Sequence, residues 1–251
     1  MMNKLNTQAL KIAGLNFSYP NNPSVLRDIS MEVSPGERVG IIGPNGAGKS
    51  TLFLVVCGIL KPDSGQVLVF SRPVIQGRFN PDVALVFQRS DDQLFCPSVR
   101  EDVAFGPENM GLDSKEVEAR VEEALSIVNA LELSSRPVHH LSEGEKRIVS
   151  IAGALAMNPK VIIYDEPSAS LDIRSRRRLI SILQKSEKTI LIASHDLELI
   201  LEVCTRVVII NSGKIIAQGI PAEVMGDEEL MLANGQEKPH SLVPHVLEHK
   251  H

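Results

Sequence analysis

Gly43-Pro44-Asn45-Gly46-Ala47-Gly48-Lys49-Ser50-Thr51 decides how this chain is read. The stretch fits G-x-x-x-x-G-K-[ST], in which a glycine-rich loop turns backbone N–H groups toward phosphate oxygens. Arg38-Val39-Gly40-Ile41-Ile42 before it reads as a short buried strand, and Leu52 to Leu60 after it as an apolar helix. A phosphate there sits at a helix N-terminus, where unpaired N–H groups and the helix dipole favour negative charge. Lys49 is placed to reach the terminal phosphates, and Ser50 to put its hydroxyl on Mg²⁺. A glycine-rich turn without a ligand has no need of strand, loop, helix and the Lys-Ser pair together. The expectation is a nucleoside-triphosphate site.

The rest of the chain allows this. Its 251 residues suffice for one large α/β domain or two small ones. Hydrophobic residues make up 43% and charged residues 23%, the balance of a globular protein with ample apolar surface to bury. The net charge of -5 argues against a general nucleic-acid binder, so no nucleic-acid partner is expected. Cys57, Cys96 and Cys204 form no C-x-x-C pair, which points away from zinc and disulfides and suits a reducing cytoplasm. Met1 to Gln8 lacks the apolar core of a signal peptide, and the apolar run Leu52 to Leu60 is too short to cross a bilayer. Any membrane attachment is expected to come through a partner.

Working outward from the loop, Leu10, Ile12, Leu15 and Phe17 mark a strand with an irregularity near Gly14, and Ile29, Met31 and Val33 mark a second. These predict a small antiparallel β layer. Tyr19, beside the turn Pro20-Asn21-Asn22-Pro23, either offers a face for a nucleotide base or covers hairpin core; position alone leaves both open. Further strands are expected at Val67 to Phe70 and Val83 to Phe87, the latter followed directly by Gln88. Residues 89–158 read as a helical insertion, with Ser114 expected to cap the helix that follows it. The second half returns to alternating strand and helix: Val161 to Tyr164, Asp172 to Lys185, Thr189 to Ala193, then a hairpin through Asn211-Ser212-Gly213. Arg174, Arg177 and Arg178 read as a solvated helix face.

Two further clusters bear on chemistry. Asp165 ends an apolar strand, the expected place for a carboxylate that holds Mg²⁺. Glu166 follows it and can polarise an attacking water, general-base help that typically contributes 10²–10⁴-fold. Leu141-Ser142-Glu143-Gly144-Glu145 opens a helix, with Ser142 and Glu145 spaced as a capping box.

With the loop, that last segment resembles the signature motif of ATP-binding-cassette (ABC) ATPases, commonly L-S-G-G-Q. The resemblance implies that Ser142 and Gly144 contact the γ-phosphate of ATP held by the opposite subunit. It also assigns Tyr19 to adenine stacking, Gln88 to the loop that senses Mg²⁺ and the membrane partner, Asp172 to the D-loop, and His195 to a γ-phosphate switch. The match runs over residues 9–225. More narrowly, Asp91-Asp92-Gln93-Leu94-Phe95, Glu101 to Pro107 and Gly144-Glu145-Lys146 resemble the energy-coupling-factor ATPases, which energise uptake of cobalt, nickel and vitamins. In that group the region 89–111 receives the coupling helix of the membrane subunit, and Phe95 and Phe105 either line that groove or pack locally.

The departures are Glu143 and Glu145 in the signature, Ser168 for the usual Thr, and Ile148 where the family has Arg. Arg147, one residue earlier, points about 100° away on a helix and does not replace that Arg. The implied fold is α/β: a P-loop NTPase core with a mainly parallel sheet, a small antiparallel β layer and a helical subdomain. Residues 1–225 are expected to form it, with 89–158 inserted, and 226–251 to form a His-containing tail. His240, His245, His249 and His251 there are either metal-handling, or part of a frayed terminus or the remnant of a tag. The expected function is ATP hydrolysis with ATP and Mg²⁺, as a peripheral subunit on the cytoplasmic face of the membrane. Its expected partners are a second cassette, identical or not, and an integral membrane subunit. A non-transport ABC ATPase, such as one of iron–sulfur assembly, is the alternative.

Overall fold

The computed structural model describes residues 8–243. In chain order the elements are β1 (Leu10–Tyr19), β2 (Asn22–Val33), β3 (Arg38–Ile42), α1 (Lys49–Val56), β4 (Ser64–Val69), β5 (Arg72–Pro73) and β6 (Val83–Val86). Three helices follow, α2 (Val99–Asn109), α3 (Ser114–Ile127) and α4 (Glu143–Ala156). The chain continues through β7 (Val161–Asp165), α5 (Ile173–Lys185), β8 (Thr189–Ala193), α6 (Leu197–Val203), β9 (Arg206–Asn211) and β10 (Lys214–Gly219). Two short helices, α7 (Pro221–Val224) and α8 (Glu228–Ala233), close it.

Six strands form one sheet in the order β10-β9-β3-β8-β7-β6, parallel except for β10. Parallel strands are covered on both faces, so their sequences run nearly without polar residues. Alternation then sorts the side chains. Ile162, Tyr164, Ile190 and Ile192 face a core shared with α2 to α6. Val161, Ile163, Leu191 and Ala193 face a second core shared with α1 and the antiparallel sheet β2-β1-β4-β5. Leu52, Phe53, Val55 and Val56 of α1 are all buried there, as expected of a helix apolar on most sides. β1 is broken in register after Ile12, where Gly14 takes φ of 58°.

Two local expectations are corrected. The cap of α3 is Asp113, whose Oδ1 accepts from the N–H groups of Lys115 and Glu116 at 3.0 and 2.9 Å; Ser114 is the first helical residue. An aspartate caps as well as a serine and adds charge at the positive helix end. Arg178 is not on a solvated face: it donates to the carbonyls of Val128 and Asn129, satisfying orphan acceptors at the end of α3. Arg174 and Arg177 are exposed.

The segment expected to be a tail begins with packed structure. Met231 is 0% exposed and joins the larger core, as does Met225 just before the segment, and Asn211 donates to Asn234 at 3.1 Å. His240 lies in a short turn whose next residue, Ser241, donates to Glu198. His245, His249 and His251 lie outside the described residues. Among the described residues no helix is long and apolar enough to cross a membrane. Truncation after Met225 should lower stability by about 1.5–3 kcal/mol more than truncation after Gly235, the worth of one fully buried methionine. Equilibrium urea unfolding of the two truncated chains checks this.

Candidate nucleotide-binding site

The loop between β3 and α1 bends through three glycines at positive φ: Gly43 at 146°, Gly46 at 77° and Gly48 at 103°. Gly43 also approaches another strand closely: a Cβ there would lie 1.9 Å from the Ile210 carbonyl oxygen. At Gly48 it would meet Leu26 at 2.8 Å and the Val25 carbonyl at 2.9 Å. The loop is thus seated between β2 and β9, and its free side opens on a cavity of about 240 Å³. Lys49, 7% exposed, donates to the carbonyls of Gly43 at 2.7 Å and Pro44 at 3.1 Å. Burial lowers its pKa, while the charges of Glu166 and Asp165 act in the opposite sense.

Those two carboxylates come from the end of β7. Burial pushes the Asp165 carboxyl up, and the Ser50 hydroxyl, Lys49 and Arg147 draw it back. Glu166 sits at φ 48°, an uncommon conformation for a non-glycine residue. Its N–H donates to the Ala193 carbonyl at 2.9 Å, and its Oε2 accepts from the His195 N–H at 3.1 Å. Its Oε1 is buried without a hydrogen-bond partner; His195 Nε2 lies 3.5 Å away. Burial is the largest cause of a raised Glu166 pKa, only partly countered by His195 and Lys49. Across the cavity His195 Nε2 meets Asn45 Oδ1 at 2.8 Å, joining the end of β8 to the loop.

Tyr19, Asn45 to Thr51, Gln88, Asp165, Glu166 and His195 all line this one cavity. Tyr19 stands edge-on to Phe17 at 4.8 Å, with its hydroxyl 3.4 Å from Thr51 Oγ1. Gly43 and Pro44 contribute the carbonyls that hold Lys49. Ser142, Gly144 and Asp172 do not line it. They gather elsewhere: a Cβ on Gly144 would lie 2.4 Å from Ser175 Oγ, so the N-termini of α4 and α5 are adjacent. Ser142 and Glu145 form the reciprocal cap, with Glu145 Oε2 accepting from the Ser142 N–H at 2.8 Å. Asp172 Oδ1 accepts from the Ser175 N–H at 2.7 Å.

Asn22 and Val25 line the cavity without having been singled out in the sequence. They belong to β2, and only the hairpin's return past Gly48 brings them there. The donor set fits Mg²⁺. Ser50, Asp165 and Gln88 offer hard oxygen donors beside a phosphate-type loop, and Mg²⁺ is held by one or two carboxylates plus substrate phosphates. Among the described residues no cluster of three His, Cys, Asp or Glu forms a separate metal cage.

A family model described as ABC transporter matches residues 26–169. The energy-coupling factor transporter ATP-binding protein EcfA of Methanothermobacter thermautotrophicus is 47% identical over 230 residues, covering 88% of this chain and 74% of that protein. Among solved structures, cbiO1 of Clostridium perfringens, described as part of the ABC transporter complex cbiONQ, superposes with a TM-score of 0.80 at 38% identity. That match covers 90% of this chain and 94% of cbiO1. The ATP-binding cassette MJ0796, solved as a post-hydrolysis dimer with ADP and Pi, matches at TM-score 0.75 and 23% identity over 84% of this chain and 98% of its own, a likeness of fold.

The loop geometry makes a specific demand. Alanine at a left-handed position costs about 1–2 kcal/mol, which should be the whole effect of Gly46→Ala, where a Cβ meets nothing within 4 Å. Gly43→Ala should cost clearly more because the Ile210 carbonyl stands in the way. Equal losses in equilibrium unfolding would show that β9 yields freely.

Proposed function

This chain belongs to the ABC transporter ATP-binding family and is an ATPase subunit; from that premise we propose that it energises an importer of the energy-coupling-factor type. The name of its Methanothermobacter relative and its likeness to a component of cbiONQ support that subgroup. By the same likeness the cargo is a transition metal ion, cobalt or nickel, or a vitamin. The subunit works at the cytoplasmic face of the membrane, bound to an integral membrane subunit. Residues 89–158 act as the helical subdomain that meets this partner. Phe95 and Phe105, 65% and 45% exposed and stacked edge-to-face at 4.8 Å, offer an aromatic patch for it. That exposed pair favours a transporter over a soluble iron–sulfur-assembly ATPase.

The observation that carries the hydrolytic reading is Glu166 Oε1, a buried acceptor without a donor in the cavity wall. A water lying there gives it a proton partner, and the raised pKa makes it a stronger base than an ordinary glutamate. Lys49 orients the terminal phosphates, His195 contacts the γ-phosphate from the opposite side, and Tyr19 stacks on the base. Ser50, Gln88 and Asp165 hold Mg²⁺, which when bound neutralises charge on the β- and γ-phosphate oxygens. Ser142 and Gly144, with Asp172 next to them, serve the nucleotide of a second cassette. Two chains thereby sandwich two nucleotides.

Lys49→Ala should abolish measurable MgATP binding, since the phosphates lose their positioned cation; unchanged affinity in a nucleotide-binding assay would remove the loop assignment. Glu166→Gln should lower hydrolysis by roughly two orders of magnitude or more while ATP still binds. The uncleaved γ-phosphate should then hold an ATP-dependent dimer, visible by size-exclusion chromatography with light scattering. Adding Ser142→Arg should dissolve it. A Glu166→Gln protein hydrolysing at the wild-type rate would overturn the base assignment. One that binds ATP, is inactive and stays monomeric would point to a different cassette as partner.

A further inference from the structure

Arg147 does not line the cavity described above, yet it is one of the most buried cations of the described chain, 4% exposed. It lies on α4 five residues after Ser142. Its neighbour Ile148, where the family places an arginine, is 1% exposed and part of the apolar core. Arg147 points elsewhere. Its Nη1 donates to the Phe87 carbonyl at 2.5 Å and its Nη2 to the Gln88 carbonyl. Its Nε is buried with no partner, and no carboxylate among the described residues pairs with it. The opposing charges that act on it are those of Glu143, on its own helix, and Asp165 at the nucleotide cavity.

A buried cation without a carboxylate partner is costly, and a methionine would fill the same space. Two acceptors on consecutive residues suit the guanidinium, whose rigid planar fork sends a separate nitrogen to each carbonyl. The same segment is tied to the same side of α4 at two further places. Gln93 Nε2 donates to the Ser150 carbonyl at 2.9 Å while Gln93 Oε1 accepts from the Phe87 N–H at 3.3 Å. Lys146 Nζ meets Asp91 Oδ1 at 2.8 Å. Positions 146, 147 and 150 thus form a strip along which residues 87–93 are laid. Of these ties only Arg147 grips the backbone of Gln88, the residue whose side chain lines the nucleotide cavity.

We propose that Arg147 is a positioning residue that locks Gln88 to the helix opened by Ser142, so that the glutamine and the signature segment move as one unit. The proposal rests on the roles given to Gln88 and Ser142 under the proposed function. Gln88 would then report on the nucleotide to the whole helical subdomain through the backbone acceptors of Phe87 and Gln88.

A mutant cycle on the full-length protein tests this. Arg147→Met should lower kcat for MgATP by about tenfold or more, the scale expected when buried acceptors lose their donors. ATP affinity should stay within about threefold, because Lys49 and its carbonyls are untouched. Amide hydrogen exchange should speed up across residues 87–93 and stay unchanged across residues 43–51. Combined with Gln88→Ala, Arg147→Met should add little, since both act through one residue. Arg147→Lys, which offers one nitrogen in place of the two that reach Phe87 and Gln88, should fall between the wild type and Arg147→Met, and it carries the same cycle if the methionine variant does not fold. Multiplicative losses in the double variant, or unchanged exchange in residues 87–93, would overturn the proposal. A wild-type rate in Gln88→Ala alone would instead remove Gln88 from the proposed site, and with it the basis for the coupling.

Discussion

The burial of Lys49 governs the rest of this molecule. An ammonium at 7% exposure needs compensation, and two carbonyls of its own loop supply part of it. A lysine carries three donors, so a third remains to be directed at the cavity. Asp165 and Glu166 face it across that cavity, and burial works against ionisation of all three groups. A ligand bearing several negative charges and a divalent cation is what completes such a set. The loop exists to hold this arrangement: the Gly43 carbonyl can receive Lys49 only because Gly43 lies where no side chain fits against Ile210.

The parallel sheet makes that arrangement possible. β3, β8 and β7 lie side by side in register, with Ile41 opposite Ala193 and Ala193 opposite Asp165. The three chain segments that leave these strands carry the phosphate loop, His195 and Glu166, and they emerge together at the carboxyl ends of neighbouring parallel strands. Open α/β sheets bind ligands there, outside the carboxyl ends of their strands. A slip of one residue between β7 and β8 would exchange the two buried faces of a strand. It would also separate Glu166 from the Ala193 carbonyl and the His195 N–H that now orient it. The apolar pattern of Val161 to Tyr164 therefore specifies the site as much as it specifies the core.

This explains which parts were legible in the sequence. The loop, the Asp165-Glu166 pair and His195 stand at strand ends, and strands buried on both faces announce themselves as apolar runs. The signature segment was legible for a similar reason, because its cap is a local pattern of Ser142 and Glu145. What was not legible depends on contacts between distant segments. Nothing near Arg178 shows that it will meet the carbonyls of Val128 and Asn129. Nothing near Arg147 shows that it faces Phe87 and Gln88. Arginines read locally look solvated; their burial follows from a backbone turn elsewhere that leaves acceptors unpaired. The packing of α8 was hidden by composition, since only Met231 and a few neighbours in a polar segment reach the core. Asp113 over Ser114 was a choice between two adjacent cap formers, settled by the extended backbone at 113.

On the proposed function, one feature of the geometry bears on the assembly. A single chain encloses about 240 Å³ around its loop, less than the 300–1,000 Å³ of most ligand pockets. One face of a bound nucleoside triphosphate would therefore stay open. The helix ends carrying Ser142, Gly144 and Asp172 stand together outside that cavity. Side by side, the N-termini of α4 and α5 place two positive dipole ends on one surface. Carboxylates of Glu145 and Asp172 accept from N–H groups at these ends. Two incomplete surfaces on one chain, one rich in phosphate contacts and one presenting helix ends, complement each other only between chains. On the proposed function the nucleotide joins the pair, and departure of the cleaved phosphate removes the contact that joins them.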